Sequence, residues 1–101
     1  MINNEQKIYS YIGLAMRAGK VVSGDDTTLK ELKKGRVNLI IVAEDASDNT
    51  KKLFKDKSAY RKVDQILFST KVELGLAIGK SPRAVIGIRD KALASKITEL
   101  M

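Results

Sequence analysis

Gly24, Asp25, Asp26, Thr27 and Lys30 have the types and spacing to hold an anion at the tip of a helix. Val21, Val22 and Ser23 read as a short strand, Gly24 as its pivot, and the residues from about Asp25 onward as a helix. A helix that opens on a glycine turn presents unpaired backbone N–H groups and a partial positive charge, and both suit a polyanion or the edge of a nucleic-acid base. Asp26 lies four residues before Lys30 and Thr27 three before it, so all three share one helical face, with Leu29 and Leu32 on the opposite, core-facing side. Each side chain also has an ordinary use: Asp25 and Asp26 as helix caps, and Lys30 as a solvated helix lysine. Lys33, Lys34 and Arg36 either extend an anion-contacting surface or complement the negative end of the helix.

Two other clusters could carry chemistry. Gly79, Lys80 and Ser81 echo the end of a P-loop, but only three residues separate Gly75 from Gly79 where that motif has four, and residues 74–78 read as helix. Glu44, Asp45 and Asp48 follow a strand and could offer oxygen ligands to Mg²⁺ in a receiver-like or phosphohydrolase-like site. Capping the first turn of the next helix is the simpler use of these acids.

Composition narrows the classes. The chain has 101 residues, 44% hydrophobic, with one Pro, no Cys and no His. That length and apolar content predict a single domain over 1–101 with one modest core. The missing cysteines and histidines exclude a disulfide framework, a Cys/His zinc site, a cysteine nucleophile and the usual neutral-pH proton shuttle. The longest apolar run, Leu39, Ile40, Ile41, Val42 and Ala43, is far too short to span a bilayer, and the N-terminus lacks a signal-like segment. A cytoplasmic location without membrane association is expected. Net charge is +7, and residues 1–50 contribute nothing to it, with seven Lys/Arg against seven Asp/Glu. Residues 51–101 hold twelve against five. So lopsided a basic field favours a polyanionic partner, or else only keeps the surface soluble.

The elements that must position these residues follow from periodicity and punctuation. Ile8, Tyr11, Ile12, Ala15 and Ala18 recur at helical spacing, with Asn3 and Gln6 as a capping-box pair and Gly19 as the stop. Gly13 inside that helix points to close packing or to simple tolerance. Gly35 ends the second helix, and the apolar run from Leu39 reads as a strand covered on both faces. A third helix has Leu53 and Phe54 inward and Lys51, Lys52 and Lys55 outward. Ile66, Leu67 and Phe68 form a strand, Thr70 and Glu73 a capping box for a helix on Leu74, Ala77 and Ile78, residues 84–88 a strand, and Leu93, Ile97 and Leu100 mark a final helix. The order αβαβαβαβα predicts a three-layer α/β/α sandwich with about four strands.

Three stretches, GDDTTLK at residues 24–30, Ala43-Glu44-Asp45, and Leu74-Gly75-Leu76-Ala77-Ile78-Gly79-Lys80, together resemble the kink-turn-binding ribosomal protein superfamily typified by archaeal L-seven-Ae, and within it the bacterial YlxQ-like branch. The resemblance covers nearly the whole chain in order. It implies an α/β/α sandwich with a four-stranded mixed sheet, and binding to kinked RNA carrying tandem G·A pairs through the start of the second helix and the loop before the last strand. The family's binders read G-x-N-E-x-x-K. Gly24 and Lys30 match, whereas Asp26 stands for the asparagine and Thr27 for the glutamate. An aspartate offers a base only acceptors and adds a charge; about 7 Å from a phosphate it costs roughly 0.6 kcal/mol in water and roughly 2 at an effective dielectric of 20. Ile78 and Ser81, Pro82 and Arg83 resemble the family element that packs against unpaired nucleotides of the bulge. Arg83 can stack or grip phosphate, and Pro82 stiffens the loop, unless this is an ordinary helix-to-strand connection.

The resulting expectation is a non-enzymatic, monomeric binder of structured RNA, ribosomal or in a messenger leader, that works without a cofactor and has the ribosome as a candidate partner. The alternatives are a protein-interaction or ribosome-associated module of the same fold with a degenerate RNA site and, further off, the Mg²⁺-dependent domain. Extended stacking on single strands is disfavoured, because no aromatic side chain falls in either candidate segment.

Overall fold

The computed structural model describes residues 3–101, with elements α1 (Asn4–Arg17), β1 (Val21–Ser23), α2 (Asp25–Lys33), β2 (Leu39–Val42), α3 (Asp48–Tyr60), β3 (Asp64–Leu67), α4 (Lys71–Ala77), β4 (Val85–Ile88) and α5 (Lys91–Glu99). Sheet order is β1-β4-β2-β3. β4 runs antiparallel to both neighbours, Val21 facing Ile88 on one side and Leu39 facing Ile88 on the other, while β2 and β3 are parallel with Leu39 opposite Asp64. This is the expected mixed four-stranded sheet. β1 and β2 therefore point the same way, and right-handed crossovers put α2 and α3 side by side on one face. α1 packs with α4 and α5 on the other.

The central strands explain the apolar run. Leu39, Ile40, Ile41, Val42, Val85, Ile86 and Ile88 are all buried because helices cover both faces. Gly87 lets the layers close: a Cβ there would stand 3.0 Å from Val22 Cγ2, 3.0 Å from Val37 Cγ1 and 3.4 Å from Thr28 Cγ2. Local signals hold at several helix ends. Asn3 and Gln6 form the reciprocal capping box of α1, and Gly19 and Gly35 take φ +71° and +72° just past α1 and α2, whereas at α4 only one arm of the expected box forms, Thr70 Oγ1 accepting from the Glu73 amide at 3.2 Å.

Several expectations need correction. The third strand is Asp64–Leu67 rather than 66–68, because it follows the pairing with β2 and not the apolar residues; Phe68 lies beyond it. The last strand begins at Val85, and Ala84 leads into it. In α2 the fully buried residues are Thr28 and Leu32, with Leu29 half-buried. Ala18 is exposed at the C-cap of α1, and Tyr11 is half-buried. Leu53 is 36% exposed, so the core contact of α3 is Phe54. Asp45 serves α4 rather than α3: its Oδ1 accepts from the Lys71 amide at 2.8 Å, whereas Ser47 caps α3 by accepting from Thr50 N at 3.1 Å. Gly13 is not required by close packing, since a Cβ added there would make only ordinary contacts, with Arg17 Nη1 at 3.7 Å and Ala77 O at 4.0 Å.

Phe54→Ala should lower unfolding free energy by about 3–5 kcal/mol in a urea titration, and Leu53→Ala by under about 1. Similar losses for the two would contradict the burial difference.

Candidate nucleic-acid interface

Gly24 caps α2 with φ 89° and ψ 153°, a backbone region open to glycine and strained for other residues. Its own N–H donates to Val85 O at 3.1 Å, which holds the tip against β4, and its carbonyl receives the first helical bond from Thr28 N at 3.0 Å. No side chain caps the helix, so the first-turn amides face outward unpaired. Neither aspartate therefore performs the capping role open to it. Asp25 instead accepts a 3.3 Å hydrogen bond from Thr50 Oγ1, tying α2 to the first turn of α3.

Asp26, Thr27 and Lys30 line one shallow cavity, as their spacing predicts, and Glu31 and Lys34 complete it. Lys33 is exposed outside that lining. Glu31 is a member of the site that no motif in the sequence marks. Its Oε2 is buried without a hydrogen-bond partner and lies 3.6 Å from Arg36 Nη1, so Arg36 pairs with Glu31 from just past the end of the helix.

The second segment meets the first. Arg83 Nε donates to Ser23 Oγ at 3.2 Å, while Nη1 donates to Ser81 O at 3.1 Å, Ser81 Oγ at 2.8 Å and Pro82 O at 3.2 Å. The Arg83 amide bonds Lys71 O at 3.0 Å. Arg83 is thus a strut between the loop and β1, and Nη2, which makes none of these bonds, is left for a ligand. Ser81 and Pro82 are exposed beside it. Ile78 is 4% exposed and packs in the core, so its side chain offers little surface for the packing against a nucleotide that the resemblance implies.

Gly75 shapes this loop. A Cβ on it would fall 2.3 Å from Ser81 O and 2.9 Å from Lys80 O, and the Lys80 amide donates to Gly75 O at 2.8 Å. The loop backbone therefore lies directly on α4. A glycine inside a helical pattern was the available signal. Because Gly75 is helical, residues 75–81 form no phosphate-cradling P-loop. With Asp45 committed to the Lys71 amide, the acids after β2 do not converge either; among the described residues no group of three or more His, Cys, Asp or Glu is arranged to hold a metal. Nor, among those residues, is any helix long and apolar enough to cross a membrane.

The α/β/α sandwich thus brings an uncapped helix tip and a braced loop together into one candidate ligand-binding surface. Residues 6–99 match the ribosomal protein L7Ae/L30e/S12e/Gadd45 family, and the chain belongs to that family, one of ribosomal-type proteins rather than enzymes. It is 44% identical over 98 residues to the RNA-binding protein YlxQ of Enterococcus faecium, covering 97% of this chain and 94% of that one. A solved Bacillus halodurans protein of unknown function superposes with TM-score 0.90 at 35% identity, covering 93% of this chain and 95% of the other. The 15.5kD RNA binding protein of Giardia lamblia shares the fold with TM-score 0.81 at 22% identity, covering 96% and 83%.

Gly75→Ala should destabilise the protein by about 1–3 kcal/mol, since the loop must move off α4. Gly13→Ala, with room for its methyl, should stabilise by roughly 0.5–1 kcal/mol. Paired denaturant unfolding curves check both signs.

Proposed function

We propose that this chain, acting as a single domain over 1–101, is a non-enzymatic RNA-binding protein that recognises kink-turn RNA through the start of α2 and the loop before β4. The observation that carries the reading is the Arg83–Ser23 bridge, which joins two segments sixty residues apart into one surface. Unpaired amides at the α2 tip suit a phosphate or base edge, Lys30 and Lys34 supply charge, and Ser81, Pro82 and Arg83 form a stiff wall against which unpaired nucleotides can rest. Its relatives' names, RNA-binding protein YlxQ and large ribosomal subunit protein eL30, support an RNA partner and a meeting with the ribosome; the proposal takes that RNA to be ribosomal or a messenger leader, and the protein to be cytoplasmic and monomeric.

Asp26 is the departure with most consequence. It does not cap α2, so in the cavity it acts chiefly as a charge against an approaching phosphate. That observation also favours the second reading, an interaction module whose RNA site has decayed.

The test is a binding titration with a kink-turn RNA and a straight duplex of equal length. The kinked RNA should bind more tightly; equal affinities with steep salt dependence would move the protein to the interaction-module reading. Lys30→Ala should cost about 1–3 kcal/mol of kink-turn affinity, by analogy with protein–DNA contacts, and no loss would remove the α2 site. Asp26→Asn should tighten binding by about 0.6–2 kcal/mol, the Coulomb penalty it relieves. Weakened binding would instead make the carboxylate an acceptor for a base.

A further inference from the structure

The proposed site is poorly charged for a polyanion. Residues 24–36 hold four Lys or Arg against three acids, and Arg83 spends most of its donors inside the protein. The excess lies next door. Residues 48–62 hold six Lys or Arg against two Asp, which is four of the chain's seven net positive charges.

Geometry joins the two. The Thr50–Asp25 hydrogen bond at 3.3 Å places the first turn of α3 against the first residue of α2, and the helices pack side by side. Packed helices stand about 8–10 Å axis to axis, so the first two turns of α3 lie within the width of a nucleic-acid helix seated on the α2 tip. Lys51, Lys52 and Lys55 occupy those turns and rim a groove between α3 and the open edge of β3. Asp48 and Asp56 also line it. Neither acid approaches a lysine closely enough to neutralise it, since among the described residues the one ion pair joins Arg36 to Glu31.

We infer that Lys51, Lys52 and Lys55 form a second contact surface, which grips the phosphates of a double-helical arm of the RNA whose kink sits on α2 and the Arg83 loop. This rests on the proposed function and assigns α3 a separate task. The α2 tip and loop read shape, while α3 supplies sequence-independent attraction through counterion release. The occupant is an RNA helix rather than an acidic peptide because the surface continues from a site fitted to RNA, and because regularly repeated charge answers a row of lysines.

The test uses the full chain, wild type and the triple variant Lys51→Gln, Lys52→Gln, Lys55→Gln. Two kink-turn RNAs, one with an extended helical arm and one trimmed close to the kink, are titrated over a range of salt. For the long-armed RNA, the variant's slope of log affinity against log salt should fall by about two to three units, with affinity down about tenfold to a hundredfold at low salt. The trimmed RNA should lose much less, and the preference for kinked over straight RNA should persist. A variant that keeps the wild-type slope on an RNA whose kink the wild type does prefer overturns the α3 inference alone. A wild type blind to the kink overturns the site reading, independently of α3. Binding of polyglutamate that the triple variant loses, with RNA binding unchanged, would assign the surface to an acidic protein and overturn the inference.

Discussion

β4 runs antiparallel between β1 and β2, and the functional edge depends on that insertion. Because both neighbours oppose β4, β1 and β2 are parallel to each other, and α2 and α3 both begin at the same edge of the sheet. The loop entering β4 arrives at that edge too, and the Gly24–Val85 and Arg83–Ser23 hydrogen bonds join it to the start of α2. Gly87 permits the arrangement by leaving room for Val22, Val37 and Thr28 where a side chain would crowd them at 3.0–3.4 Å. The core and the binding edge are therefore consequences of one pairing.

Rigidity at this edge comes from backbone contacts more than from charge. The loop rests on Gly75, Arg83 is held by Ser23 and its own loop carbonyls, and Asp45 fixes the start of α4. Such bracing lowers the ordering cost of binding, so a site with few favourable charges can still be selective. Charge is distributed differently. Acids crowd the α2 tip while lysines gather on α3, which in the proposed reading separates the group that discriminates from the group that attracts.

What was legible in the sequence was what is local. The Asn3–Gln6 box, the glycine stops at Gly19 and Gly35 and the shared face of Asp26, Thr27 and Lys30 each depend on residues a turn apart. What was missed depends on distant partners. β3 begins two residues earlier than its apolar residues suggest because it pairs on one side only, so Asp64 and Gln65 belong to it despite being polar. Ile78 looked available at the end of a helix, yet packing across the fold buries it. Asp45 sits where a cap for α3 is expected, and its partner is the amide of Lys71. Arg83 was legible as a cation in the loop before β4, but its role as a strut requires Ser23, sixty residues away.

The central claim is that the α2 tip and the Arg83 loop act as one RNA-binding surface. The most direct measurement follows backbone amide shifts by NMR as a kink-turn RNA is added. Joint movement of the Asp25, Asp26, Thr27, Lys80 and Ser81 amides, in one binding event, is the result this account predicts. Shifts confined to other parts of the molecule, such as α5, with those amides unmoved, would contradict it.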